Sequence, residues 1–123
     1  MIYTAKFEMD VGIPSGYGSM KSVRYKEEKR FREINDELAL SKAAIIGRFL
    51  SECSYPNPNT NKAKVILLNL FNENGKAVNQ EDFLSQYGEL KDKNVRTLSF
   101  EDEDNKMVFY CSTLEHLLML ADK

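Results

Sequence analysis

A chain of 123 residues with 42% hydrophobic and 29% charged side chains has the size and make-up of one ordinary globular domain, able to bury about two-thirds of its unfolded surface without staples. A formal net charge of −2 and a pI near 5.5 exclude the strongly basic surface of a generic nucleic-acid binder. Two cysteines and one histidine exclude a disulfide framework, two-histidine phosphoesterases and multi-histidine metal enzymes.

In chain order, residues 2–11 alternate. Tyr3, Ala5, Phe7, Met9 and Val11 point one way and Thr4, Lys6, Glu8 and Asp10 the other, which predicts a half-buried strand. The same segment has neither the basic nor the apolar region of a signal peptide. No stretch reaches the roughly 18 apolar residues of a membrane span. We therefore expect a cytoplasmic protein with no membrane partner, its thiols reduced.

Gly12-Ile-Pro-Ser-Gly16-Tyr-Gly18-Ser-Met20 is a loop by its glycines and proline. It departs from the phosphate-loop spacing, because Lys21 stands three residues beyond Gly18 rather than directly after it. It lacks the third glycine of a dinucleotide loop. Its glycine, serine and tyrosine, with Ile13 and Met20 as apolar tips, match the composition of binding loops.

From about residue 24 the spacing of Phe31, Ile34 and Leu38 predicts a charged helix with a narrow apolar stripe, and Glu28 and Arg32 lie at a favourable ion-pair spacing. Met20–Tyr25 can equally continue as strand. Ile45, Ile46, Phe49, Leu50 and Cys53 predict a second, more buried stripe. Ser41 either caps a separate helix or sits inside one helix over 24–53. Ser54–Asn61 is a loop by its turn residues, with a Ser, Tyr and Asn mixture like that of the first.

Lys64–Phe71 is the stretch around which the domain is expected to pack. Six of the seven residues from Val65 to Phe71 are apolar, which predicts a central strand covered on both faces. Asn69 is its one polar residue, either satisfied inside the core or lining a pocket. Asn74-Gly75 predicts a tight hairpin with both residues at positive φ, returning through Lys76–Val78. Asn79 caps a short helix with Phe83, Leu84 and Tyr87 inward and Gly88 at its stop. Val95–Phe100 and Lys106–Cys111 predict a hairpin around the acidic Glu101–Asp104, which lacks the glycine and ligand spacing of a calcium loop. Ser112–Glu115 opens a last helix with Leu114, Leu117, Leu118 and Ala121 on one face.

The pattern sums to a single α+β domain over 1–123, in the approximate order β-α-(α)-β-β-α-β-β-α, with helices on a small mixed or antiparallel sheet. No motif is specific enough to place it in a family. Cys53, Cys111 and His116 form no catalytic constellation, and no cofactor or metal is expected. An enzyme built from carboxylates and arginines stays open, because sequence does not show how they group.

The expected function is a non-catalytic protein-binding module, a regulator, inhibitor or adaptor that occupies a partner's surface through Ile13, Tyr17, Met20, Arg24 and Arg30. A second copy of the chain is a further candidate partner. The alternative is binding of a phosphorylated small molecule such as a nucleotide, or of nucleic acid, by Gly16, Gly18, Arg24, Lys29, Arg30 and Arg32.

Overall fold

The computed structural model describes residues 1–80, 98–99 and 106–112, with the backbone alone for 98–99 and 111–112. Its elements are strands β1 (Ile2–Pro14) and β2 (Met20–Arg32), helix α1 (Asp36–Cys53), and strands β3 (Lys62–Phe71), β4 (Leu98–Ser99) and β5 (Val108–Ser112). They form an antiparallel five-stranded sheet in the order β2-β1-β3-β5-β4 with α1 packed on one face. This is an α+β architecture. The expected short helix after Asn79, the last helix and His116 lie outside the described residues.

β1 alternates as its sequence requires. Tyr3, Ala5, Phe7, Met9 and Val11 are buried, and they meet Val65, Leu67 and Leu70 of β3, Phe109 of β5 and Ala39, Leu40, Ala43 and Ala44 of α1 in one core. β3 is the middle strand. Its run of apolar residues has a specific cause: the β1 register jumps from Lys6↔Asn69 to Phe7↔Leu67, leaving Leu68 as a bulge. A bulge reverses the in–out phase, so Ala63, Val65 and Leu67 point inward before it and Leu70 after it. The expectation that both faces are covered is corrected here, because Lys64, Ile66, Leu68 and Phe71 are only half-buried and Asn69 is exposed. On that second face lysine cations lie over aromatic rings. The Lys6 ammonium lies 5.5 Å from the Phe71 ring centroid, and those of Lys62 and Lys64 lie 5.1 and 6.0 Å from that of Tyr110, within reach of cation–π attraction.

Residues 24–32, expected as helix, are strand. β2 pairs with β1 along its whole length, from Ile2↔Arg32 to Pro14↔Met20. The register sets Lys6 opposite Glu28, Glu8 opposite Lys26 and Asp10 opposite Arg24. Opposite charges facing across strands stabilise a pair. The charge density that reads as a solvated helix is half of a complementary hairpin face, and the Glu28–Arg32 spacing has no helical meaning. The inner face of β2 adds Phe31, stacked on Tyr3 at 6.0 Å.

There is one helix in this region, not two. Asn35 caps it, its Oδ1 accepting from the Leu38 amide at 2.9 Å. The expected buried stripe is also corrected: Ile46 and Leu50 are half-buried against the core, but Ile45 and Phe49 are 64% and 63% exposed, and Cys53 is exposed. The buried face is instead Ala39, Leu40, Ala43, Ala44, Gly47 and Ser51. Small residues let α1 approach the sheet so closely that a Cβ on Gly47 would overlap the Phe109 ring.

The expected turn after β3 is present in a different form. The Asn72 side chain accepts from the amides of Asn74 and Lys76, both at 3.0 Å, and only Gly75 takes a positive φ, of 78°. The return is a single bridge, Phe71↔Ala77, rather than a strand. β4 pairs with β5 through Leu98↔Phe109, inside the hairpin expected over 95–111.

Candidate functional site

β1 and β2 run on beyond the β1–β3 ladder, which ends at Asp10↔Lys64, and residues 15–19 close them as a hairpin loop. Backbone bonds from Ser15 N to Ser19 O and from Ser19 N to Gly16 O, each 3.0 Å, shape the turn. The two serine hydroxyls lie 2.7 Å apart, and Ser19 Oγ donates to Gly16 O at 2.8 Å. Three successive residues, Gly16, Tyr17 and Gly18, take positive φ of 91°, 53° and 76°. Glycine adopts that region freely, but for tyrosine it costs about 1–2 kcal/mol. Tyr17 is nonetheless the apex residue, with its side chain fully exposed.

A second loop holds the base of this hairpin. The Gly12 amide donates to Tyr55 O at 2.8 Å, and a Cβ at Gly12 would overlap Pro56 O. Asn57, buried, donates from Nδ2 to Asp10 Oδ1 and, at 2.8 Å, to Ser22 Oγ, while its Oδ1 accepts from the Asn59 amide at 2.8 Å. Ser54–Asn61 is thus a clamp that ties β1 to β2 below the tip. This role was not visible in the sequence, where the only sign was an asparagine between two prolines.

The residues expected to bind a partner divide over this hairpin. Tyr17 is at the tip. Ile13 is on the face that carries the core, and Met20, Arg24 and Arg30 are on the other, as the register requires. Met20 is half-buried, its Cε against Gly12. Arg24 is spread between Glu8 and Asp10, at 3.6 Å from each. Arg30 lies six residues further along β2, about 20 Å away. The alternative phosphate-binding set is dispersed more widely. Gly16 and Gly18 are at the tip, whereas Arg30 and Arg32 are at the far end of a strand about 40 Å long, and Lys29 is on the opposite face, paired with Glu27 at 3.2 Å. Two of the loop amides are already used inside the turn.

The arginine–carboxylate groupings among the described residues are Arg24 with Glu8 and Asp10, and Arg48 with Glu52 at 2.9 Å. Both are surface pairs of the kind that contribute little. No group of three or more histidine, cysteine, aspartate or glutamate side chains that could hold a metal is found among the described residues. A shallow recess of about 270 Å³ is lined by Asp10, Thr60, Lys62, Lys64 and Tyr110, below the usual range of small-molecule sites. No described helix is long and apolar enough to cross a membrane.

Leu38, Ile45 and Phe49 are exposed on α1 and fall within about 40° of one another at 100° per residue, diametrically opposite the core face. The sequence pattern sets Leu38 in one apolar stripe and Ile45 and Phe49 in another, more buried one, whereas all three face outward. No family model matches the chain, and neither a curated protein nor a solved structure matches it.

Proposed function

We propose that this protein is a non-catalytic protein-binding module, acting as a regulator, inhibitor or adaptor by seating the β1–β2 hairpin tip on a partner's surface. One observation carries the reading: a fully exposed tyrosine held at φ 53° at the apex of a loop ordered by its own serines. Folding alone favours glycine or asparagine at such a position. A strained, bulky residue that contributes nothing visible to the core points to a purpose other than folding. Tyrosine is among the commonest binding hot spots, and an ordered loop has little entropy left to lose on docking. Ile13 extends the apolar contact on one side. Arg24, with Glu8 and Asp10, forms a mixed-charge rim that steers encounter more than it holds the complex.

The test is affinity capture from a lysate of the native host, with immobilised wild type beside a Tyr17→Ala, Met20→Ala variant. A partner held by the wild type and lost by a variant with unchanged circular dichroism supports the reading. A partner captured equally by both refutes the tip as the working face.

A further inference from the structure

β2 is an outer strand of the sheet, and among the described residues no strand pairs with its far edge. The hydrogen bonds at the two ends of the hairpin set which peptide groups face outward. Ser15 bonds to Ser19, and Met1 and Glu33 exchange two bonds of 3.0 Å. With the intervening register, the odd-numbered residues of β2 are the ones bonded to β1. Ser22, Arg24, Lys26, Glu28, Arg30 and Arg32 therefore turn both N–H and C=O to the open edge. Among the described residues, only the Arg32 carbonyl is engaged there, by Lys42 Nζ at 3.4 Å.

The side chains of those same six residues share the sheet face away from α1. Toward the tip their charges are answered by β1: Arg24 by Glu8 and Asp10, Lys26 by Glu8 across the ladder, and Glu28 by Lys6. Toward the other end they are not. Arg30 stands opposite Thr4 and Arg32 opposite Ile2, and neither has an ion pair among the described residues.

We propose that the β2 edge is a strand-addition site for an acidic, extended segment of a partner protein. This rests on the reading of the chain as a protein-binding module and names the chemistry of the partner. Main-chain bonds to the even-numbered residues supply the ladder, and carboxylates beside Arg30 and Arg32 supply the selectivity. A second copy is a poor occupant. β2 carries six basic residues, Lys21, Arg24, Lys26, Lys29, Arg30 and Arg32, against only Glu27 and Glu28, so two β2 edges repel. Basic side chains also protect an edge against apolar strands. An acidic strand is the one kind they invite. A nucleic acid meets the charge but lacks the alternating donors and acceptors that the open peptide groups require.

The test uses three capped nine-residue peptides titrated into the whole protein at low salt. One alternates Glu and Val, one alternates Lys and Val, and the third is the Glu peptide with its pairing amides N-methylated. The expected result is slowed amide exchange at Lys26, Glu28 and Arg30 with the Glu peptide, and binding weaker by about tenfold or more for each of the other two. An Arg30→Glu, Arg32→Glu variant, altered only at exposed positions, should prefer the Lys peptide. No protection by the Glu peptide, indifference to N-methylation, or tighter binding of single-stranded DNA of equal charge overturns the proposal. Tyr17, at the hairpin tip, lies outside the stretch from Lys26 to Arg32 that the peptides are to occupy. Failure of the peptides while Tyr17-dependent capture persists therefore sinks the edge assignment alone, and failure of both sinks the module.

Discussion

Tyr3 shows what one residue does in this fold. Its ring is buried in the core and its hydroxyl donates to Asp36 Oδ1 at 2.7 Å, joining β1 to the first turn of α1. Burial first, and then the bond to and the charge of Asp36, push its pKa up to about 12 from 10. A raised folded-state pKa means that the native protein holds the phenolic proton more tightly than the unfolded chain does. The stabilisation is thus complete below pH 10 and is lost as pH rises toward 12. Melting profiles from pH 8 to 12 should show a steeper alkaline loss for the wild type than for Tyr3→Phe, and parallel curves would contradict this linkage. The inward position of Tyr3 is legible from alternation alone. Its bond to Asp36, 33 residues away, is not, and neither is the Asn57 clamp, which reaches 47 residues to Asp10 and 35 to Ser22. Such partners are set by strand register, which local sequence does not encode.

At the scale of elements, α1 is the informative case. Large apolar residues were expected inward, and the helix instead turns its small ones to the sheet. Gly47→Ala measures how tightly it sits. Alanine in a helix interior gains about 1 kcal/mol over glycine, but a methyl pressed into the buried Phe109 ring costs about 1–3 kcal/mol as overpacking. We expect a net loss of about 1–2 kcal/mol in chemical denaturation, and a stabilised variant would show that α1 is free to move away. β2 is hard to see in the sequence for a related reason. An edge strand with charges on both faces has no apolar alternation to betray it, and Phe31, Ile34 and Leu38 met a helical spacing by chance while spanning a strand, a turn and a helix start. β1 was legible because one of its faces is wholly buried.

For the whole molecule, the middle position of β3 was legible from its apolar run, and the α+β class from the mixture of periods. The strand order was not, since it depends on α1 carrying the chain across the sheet so that β3 pairs with β1 on the side away from β2. Leu67, buried beside the bulge, tests that centre. An unpaired carboxylate there costs several kcal/mol, a large share of the roughly 5–15 kcal/mol that holds a domain together. Leu67→Asp should therefore fail to melt cooperatively, and a folded, cooperative variant would contradict the packing described. Around this centre, the β1–β2 hairpin extends beyond the β1–β3 ladder, and its tip carries the strained tyrosine. The most direct measurement is the affinity of Tyr17→Gly for the captured partner, made beside its melting temperature. Relief of strain at φ 53° and the greater freedom of unfolded glycine offset each other to within about 1 kcal/mol. Stability should be unchanged or slightly higher while binding weakens by about 30-fold or more, as for an interface hot spot. Unchanged affinity, or a loss of binding that only follows a loss of fold, would contradict the hairpin tip as the working face.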